Sequence, residues 1–206
     1  MLVDRSARDL LEAFSSSNPT PGGGSAAALA SALGASLLMM VASLPKTRSG
    51  SNEDRTALAA SAAVLAGLRE ELTDAIDADT TAYMLVVASY KLPKASSEEK
   101  ASRQASIQAA LRAATDVPLT VMRLSALALE EAVHVAGHGH RPAISDVGVA
   151  IGLLRAGLHG ARLNAEINTD SLSDATYVGT AKLDVGRWRE RGSEAADAAD
   201  LRLGEK

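Results

Sequence analysis

One stretch near the N-terminus, PTPGGGSAAALASALGAS (residues 19–36), most limits what this chain can fold into. Three glycines open a segment made almost entirely of Ala, Ser and Gly, and no charged residue occurs from Gly22 to Leu44. Such side chains bury little apolar area each, so a helix built from them contributes little by filling space. We expect it instead to let another backbone or a ligand come close.

The rest of the chain also favours helices. Hydrophobic residues make up 47% of the sequence but aromatic residues only 2%, and no segment alternates β-branched with polar residues as a strand would. We therefore predict an all-α fold, a multihelical bundle with two buried central helices. The linkers are too short to divide the chain, so residues 1–206 are predicted to form a single domain. The predicted helices cover residues 6–16, 24–44, 52–90, 96–116, 118–134, 145–168 and 174–199.

Pro118 is predicted to separate the fourth helix from the fifth, and Ser145 with Asp146 is predicted to cap the sixth.

Small residues recur on the second and sixth of these helices. Glycine costs a helix about 1 kcal/mol against alanine, so a repeated glycine indicates close packing. We predict that two smooth faces bring the second and sixth helices together. These faces consist of Ala27, Ser31 and Gly34 on one helix and Gly148, Gly152, Ala156 and Gly160 on the other.

Composition excludes several function classes. The chain has no cysteine, which removes disulfides, thiolate metal sites and thiol catalysis and fits a reducing compartment. A net charge of −4 argues against a nucleic-acid partner. Charged residues within 1–14 do not fit a signal peptide, and the segment 22–44 is too weakly apolar to predict a membrane span. We expect a cytoplasmic protein.

Asp79 is the strongest candidate for chemistry. It interrupts an apolar stripe on the third helix, whereas Asp77 lies about 200° round that helix. An inward carboxylate is costly to ionise, so the pKa of Asp79 should be raised. The alternative is a structural aspartate satisfied by a buried arginine or a helix end. The stripe consists of Leu58, Leu65, Leu68, Leu72, Ile76, Tyr83, Val86 and Tyr90.

Other polar groups could bind a ligand. Asn164 and Asn168 continue the row of small residues, and buried carboxamides need partners, either local backbone or a heterocycle rich in donors and acceptors. The PTPGGGS turn offers free N–H groups to an anion or a carbonyl oxygen, without the lysine or the preceding strand of a phosphate-binding loop. Basic residues near helix ends would suit a substrate with several carboxylates. The turn contributes Pro21, Gly22, Gly23, Gly24 and Ser25, and the basic candidates are Lys91, Lys94 and Arg103.

Three histidines raise a metal-site alternative. His134 and His138 are one helical turn apart and His140 follows closely. Only Glu130 and Glu131 lie near them, and a helix C-terminus favours histidine in any case. We predict no metal site.

Four segments together resemble the C-terminal domain of formiminotransferase-cyclodeaminase and the methenyltetrahydrofolate cyclohydrolases related to it. They occur in the family's order over most of residues 6–168. Any one of them would be weak, but the combination is specific. The segments are PTPGGGSAAALASALGASLLMMVA, IDADTTAYMLVVASYKLPK, EEKASRQASIQAALRAATDVPL and SDVGVAIGLLRAGLHGARLNAEIN.

The resemblance implies a helical homodimer with a folate site and no prosthetic group, acting on a tetrahydrofolate derivative that carries a polyglutamate tail. The family's acid motif corresponds here to Asp77, Asp79, Ala82 and Tyr83, so Asp79 and Asp77 are the catalytic candidates, and the stripe favours Asp79. Asp146, in the fourth segment, joins the predicted substrate-binding residues.

Two activities fit the resemblance. A cyclodeaminase closes formiminotetrahydrofolate to methenyltetrahydrofolate with loss of ammonia, whereas a cyclohydrolase adds water to the methenyl bridge. No transferase domain is fused to this sequence, which leans towards the cyclohydrolase. A helical protein that binds folate or a partner without catalysis is the alternative of a different class.

Overall fold

The computed structural model describes residues 1–204, and within that range the chain forms six α-helices and one short 3₁₀ turn, with no strand. The all-α prediction is confirmed. The helices are α1 (Ala7–Ser15), α2 (Gly23–Ala42), α3 (Asn52–Tyr90), α4 (Ser97–His138), α5 (Ile144–Thr169) and α6 (Ala175–Gly204), and the 3₁₀ turn is Arg141–Ala143.

The close contact predicted between two small-residue helices is present, between α2 and α5. A Cβ on Gly157 would lie 1.9 Å from Oγ of Ser31, and one on Gly34 would lie 2.9 Å from the carbonyl oxygen of Ala150. Gly160 in turn lies against Ala27. Along this contact the residue numbers of α2 fall as those of α5 rise, so the two helices are antiparallel.

Most of the face predicted for α5 was wrong, since of its four residues only Gly160 lies against α2. Gly152 and Ala156 are exposed, and Gly148 lies nearest Leu203 of α6. A step of four residues advances 40° beyond a full turn, so a strict four-residue row winds away from its neighbour. The face of α5 that meets α2 instead combines steps of three and four residues and includes Ala150, Leu154, Gly157 and Gly160.

The long helix α4 lies beneath α2 and α5 and also packs against α3 and α6. The break predicted at Pro118 was wrong, since α4 continues through this buried proline. Proline lacks an N–H, so the carbonyl of Ala114 loses its helical donor, and the Asn168 Nδ2 amide donates to that oxygen at 2.8 Å. The helix tolerates Pro118 because a neighbouring side chain satisfies the carbonyl that it frees.

The two predicted caps differ in outcome. Ser96 and Glu99 form a complete capping box at the start of α4, where the sequence predicted a helix start. The cap predicted from Ser145 and Asp146 was wrong, because α5 already begins at Ile144, after the 3₁₀ turn.

A buried aspartate ties the start of α3 to the end of α4. Oδ1 of Asp54 lies 2.8 Å from Nδ1 of His138, and its Oδ2 accepts two bonds from Ser49, one from the backbone N–H and one from the hydroxyl, both at 2.7 Å. These bonds, that of His138 first, lower the pKa of Asp54 far below its ordinary value. One of the three histidines considered for a metal thus pairs with a carboxylate.

The helices α2 and α5 each leave an apolar stripe exposed. Leu33 and Met40 of α2 are 49% and 40% exposed, and Val149, Leu163 and Ile167 of α5 are also exposed. Within residues 1–204, only α2 is long and apolar enough to cross a membrane, and 56% of its most apolar window is buried inside the protein. The central helices are therefore covered by the rest of the chain on only part of their surface.

Candidate active site

Asp79, in the C-terminal half of α3, contacts the first turn of α2. Its Oδ2 accepts a bond from the backbone N–H of Ser25 at 2.8 Å and another from the Ser25 hydroxyl at 2.9 Å. Thr80 Oγ1 lies 3.3 Å from that hydroxyl. Among residues 1–204 no donor bonds to Oδ1 of Asp79, so one carboxylate oxygen is held and the other is free for a ligand.

Gly24 explains how the carboxylate can sit there. A Cβ at this position would lie 2.0 Å from Oδ1, 2.5 Å from Cγ and 2.8 Å from Oδ2 of Asp79. Any side chain would therefore displace the carboxylate. Gly24 thus allows the Asp79 carboxyl group of α3 to approach the backbone of α2.

The pKa of Asp79 is raised above its ordinary value. Burial is the largest cause, because it disfavours the charged form, and the two bonds from Ser25 act in the opposite direction. The direction agrees with the sequence-based prediction. A raised pKa makes a carboxyl group better suited to accept a proton and then to donate it.

The carboxylate opens into a cavity of about 290 Å³, near the lower end of the range for ligand sites. The cavity combines the glycine turn with residues from α3, α4 and α5. Its lining consists of Pro19, Thr20, Gly22, Gly23, Gly24, Asp79, Tyr83, Val86, Leu111, Ala114, Asn164 and Asn168.

Most of the predicted turn and amide residues therefore lie together. Gly22, Gly23 and Gly24 line the cavity with both asparagines. Pro21 follows Thr20 through a cis peptide bond and precedes Gly22, while Ser25 is connected to the cavity through Asp79.

Asp77 and Asp146 lie elsewhere. The Asp77 carboxylate accepts the backbone N–H groups of Leu2 at 2.6 Å and Val3 at 3.4 Å, so it anchors the N-terminal segment. Asp146 is in the first turn of α5, 18 residues before Asn164, or about 27 Å along the helix axis. Neither residue lines the cavity with Asp79.

The predicted basic residues lie at the connection between α3 and α4. Lys91 and Lys94 are exposed there, and Arg103 donates to the backbone oxygen of Tyr90 at 3.0 Å and lies over its ring. Lys91 follows the cavity residue Tyr83 by eight positions, about 12 Å along α3. These cations stand beyond the cavity rather than in its lining.

Several lining residues were not predicted. Tyr83 and Val86 could have been, because they follow Asp79 by four and seven positions and share its helix face. Leu111 and Ala114 come from α4, and no local pattern in the sequence indicates that this helix meets the glycine turn.

Residues 6–186 match the sequence family described as formiminotransferase-cyclodeaminase. The chain belongs to this family. One similar protein is the methenyltetrahydrofolate cyclohydrolase of Methylorubrum extorquens. It is 42% identical over 168 residues, which are 82% of this chain and 81% of that protein. The mouse formimidoyltransferase-cyclodeaminase is 33% identical over 85% of this chain, and the match covers 32% of the mouse protein.

The fold is also similar to that of a solved crystal structure. The formiminotetrahydrofolate cyclodeaminase of Thermotoga maritima superposes with a TM-score of 0.87 over 98% of both chains, at 23% sequence identity. The six-helix architecture described above is thus similar to a known fold. In the present chain, the glycine turn at the start of α2 lies against Asp79 of α3.

Proposed function

We propose that this protein is a folate one-carbon enzyme that acts on the methenyl bridge of tetrahydrofolate, with Asp79 as the proton carrier. The observation that carries the proposal is the Asp79 carboxylate, which has a raised pKa, one oxygen held by Ser25 and the other free at a cavity. Hydrolysis of the bridge to formyltetrahydrofolate is the first activity to test, because the cyclohydrolase relative matches over most of both chains.

The chemistry needs one group that moves a proton twice. The Asp79 carboxylate takes a proton from water as the water oxygen bonds to the bridge carbon, giving a tetrahedral carbon between two folate nitrogens. The resulting carboxylic acid then protonates the departing nitrogen while the carbon–nitrogen bond breaks. This second transfer restores the carboxylate. The new hydroxyl loses its proton to solvent as the formyl group forms. Proton transfers of this kind need no prosthetic group.

Cyclodeamination is the second candidate, favoured by the family match and the fold of the Thermotoga protein. There a folate N–H nitrogen bonds to the carbon of the protonated formimino group and passes its proton to the Asp79 carboxylate. The resulting carboxylic acid then protonates the departing amino group, which leaves as ammonia while its carbon–nitrogen bond breaks. Both reactions pass through a tetrahedral carbon, so the same acid serves both.

The substrate's polar groups have matching partners. The amides of Asn164 and Asn168 and the N–H groups of the glycine turn suit a pterin ring. A polyglutamate tail would extend out of the cavity past Tyr83 and Val86. It would follow α3 towards Lys91 and Lys94, because these cations lie beyond the cavity.

A homodimer is part of the proposal. The exposed apolar residues of α2 and α5 lie on the side away from α4, and small exposed residues of α5, Gly152 and Ala156, lie among them. A second copy covering this face would complete the burial of both helices. The cytoplasmic location expected from the composition stays a prediction.

The deciding experiment compares Asp79→Asn with wild type by the ultraviolet absorbance of methenyltetrahydrofolate, followed during its hydrolysis and during its formation from the formimino compound. Asparagine keeps the size and can still accept from Ser25, but it cannot carry the proton. Turnover should fall by about 10²- to 10⁴-fold while folate binding is largely kept. Asp77→Asn, outside the cavity, should cost less.

The outcomes distinguish catalysis by Asp79 from folate binding without catalysis. Full activity of Asp79→Asn in both assays would remove Asp79 as the proton carrier. A wild-type protein that binds reduced folates but turns over neither substrate would favour the binding protein without catalysis.

A further inference from the structure

Pro118, inside α4, leaves one backbone carbonyl at the wall of the cavity without its usual helical donor. A helical carbonyl normally accepts from the N–H four residues later, and position 118 has none. The carbonyl in question belongs to Ala114, which lines the cavity. Its oxygen accepts from Nδ2 of Asn168 at 2.8 Å.

This bond determines which way the Asn168 amide points. A carbonyl oxygen only accepts, so the side chain must turn its nitrogen towards Ala114. Its own oxygen, Oδ1, has no donor among residues 1–204 and remains available to a ligand. The arrangement at Asn164 is the same in kind, since its Nδ2 donates to the carbonyl of Gly160 at 2.9 Å.

We infer that Pro118 is a positioning residue for ligand specificity: by freeing the Ala114 carbonyl it fixes the Asn168 amide so that Oδ1 accepts from the ligand. With Asn164 held in the same way, this wall of the cavity presents two acceptor oxygens. It therefore selects a heterocycle edge that carries N–H donors. The inference rests on the proposed folate function for the identity of the heterocycle, the pterin ring, and not for the orientation of the amide.

The test is Pro118→Ala, which restores a backbone N–H that competes with Asn168 for the Ala114 oxygen. The KM for the folate substrate should rise about three- to tenfold, the contribution of one hydrogen bond, while kcat changes less than about twofold. Asn168→Ala should raise KM at least as much. In the Asn168→Ala background, Pro118→Ala should add no further increase, because the side chain through which it acts is gone.

Side-chain amide exchange, measured by NMR without ligand, tests the orientation separately. The Asn168 amide protons should exchange faster in Pro118→Ala than in wild type, while those of Asn164 stay unchanged as an internal control. Unchanged Asn168 exchange, or an equal rise in KM in both backgrounds, would overturn the inference. If wild type neither binds nor turns over folates, the proposed function fails, and the exchange comparison still decides whether Pro118 orients Asn168.

Discussion

Asp79 and Ser25 join α3 to the start of α2 through two bonds to a single carboxylate oxygen, from the backbone N–H at 2.8 Å and the hydroxyl at 2.9 Å. The residue before α2, Gly22, has no side chain with which to cap it. Asp79 therefore supplies from another helix the acceptor that an N-cap side chain usually provides. The proposed proton carrier is also a structural group, so its two roles must be tested by different variants.

Gly24→Ala should abolish most activity. The new Cβ would lie 2.0 Å from Oδ1 of Asp79, and the carboxylate would have to move off the cavity. We expect kcat/KM to fall by about 10²-fold or more, since an acid/base group contributes that much when it is in place.

The matched control for that variant is Gly67→Ala, another helical glycine changed in the same way. Apart from the backbone of its own helix, no atom of residues 1–204 lies within 4 Å of a Cβ at Gly67, so activity should be unchanged and α3 should gain up to about 1 kcal/mol of stability. Equal losses in the two variants would mean that Gly24 does not act through Asp79.

Ser25→Ala removes one of the two bonds that oppose the raised pKa of Asp79. The pKa should therefore rise further, because the Ser25 hydroxyl favours the charged form. In a pH profile of kcat/KM, the limb that reports ionisation of Asp79 should move to higher pH. Ser36→Ala is the control, since within the described part of the chain that hydroxyl bonds only to the Ala32 carbonyl of its own helix. A limb that stays in place in Ser25→Ala would assign the ionisation to another group.

The sequence was sufficient to predict most of the helices and the inward position of Asp79, because both follow from local periodicity. A break in an apolar stripe indicates an inward acid wherever the helix ends up. The contact face of α5 could not be predicted from the row Gly148, Gly152, Ala156 and Gly160, since the rotation of a helix depends on its neighbours. The continuation of α4 through Pro118 could not be predicted either, because the compensating donor, Asn168, is 50 residues away in the chain.

Asp54→Asn should weaken the connection between α3 and α4. Asp54 is buried and accepts from Ser49 and from Nδ1 of His138. At pH 7 the free energy of unfolding should fall by about 1–3 kcal/mol, as for a buried charge-assisted hydrogen bond that is weakened. Urea unfolding measures this loss.

The pH dependence of that loss has a definite sign. The folded pKa of Asp54 lies below its ordinary value of 3.8, so its stabilisation is present above pH 3.8 and is lost as the pH falls towards the folded pKa. The gap between wild type and Asp54→Asn should therefore narrow below pH 3.8. Asp170→Asn, an exposed aspartate, is the control and should show little difference at either pH. A gap that widens in acid would contradict this account.

The apolar stripe on α2 and α5 predicts how two copies meet. Leu33 and Leu163 are both 49% exposed on helices that pack against each other, so a charge at either position would lie within a dimer interface that covers them. Light scattering of wild type should give a mass near twice 21.2 kDa across a tenfold dilution.

Leu33→Arg and Leu163→Arg should each give a monomer at micromolar concentration, because an unpaired charge would be buried on association. Leu183→Arg, 76% exposed on α6, is the matched control and should remain dimeric. A wild-type monomer would remove the dimer altogether, whereas dissociation by Leu183→Arg alone would move the interface to α6.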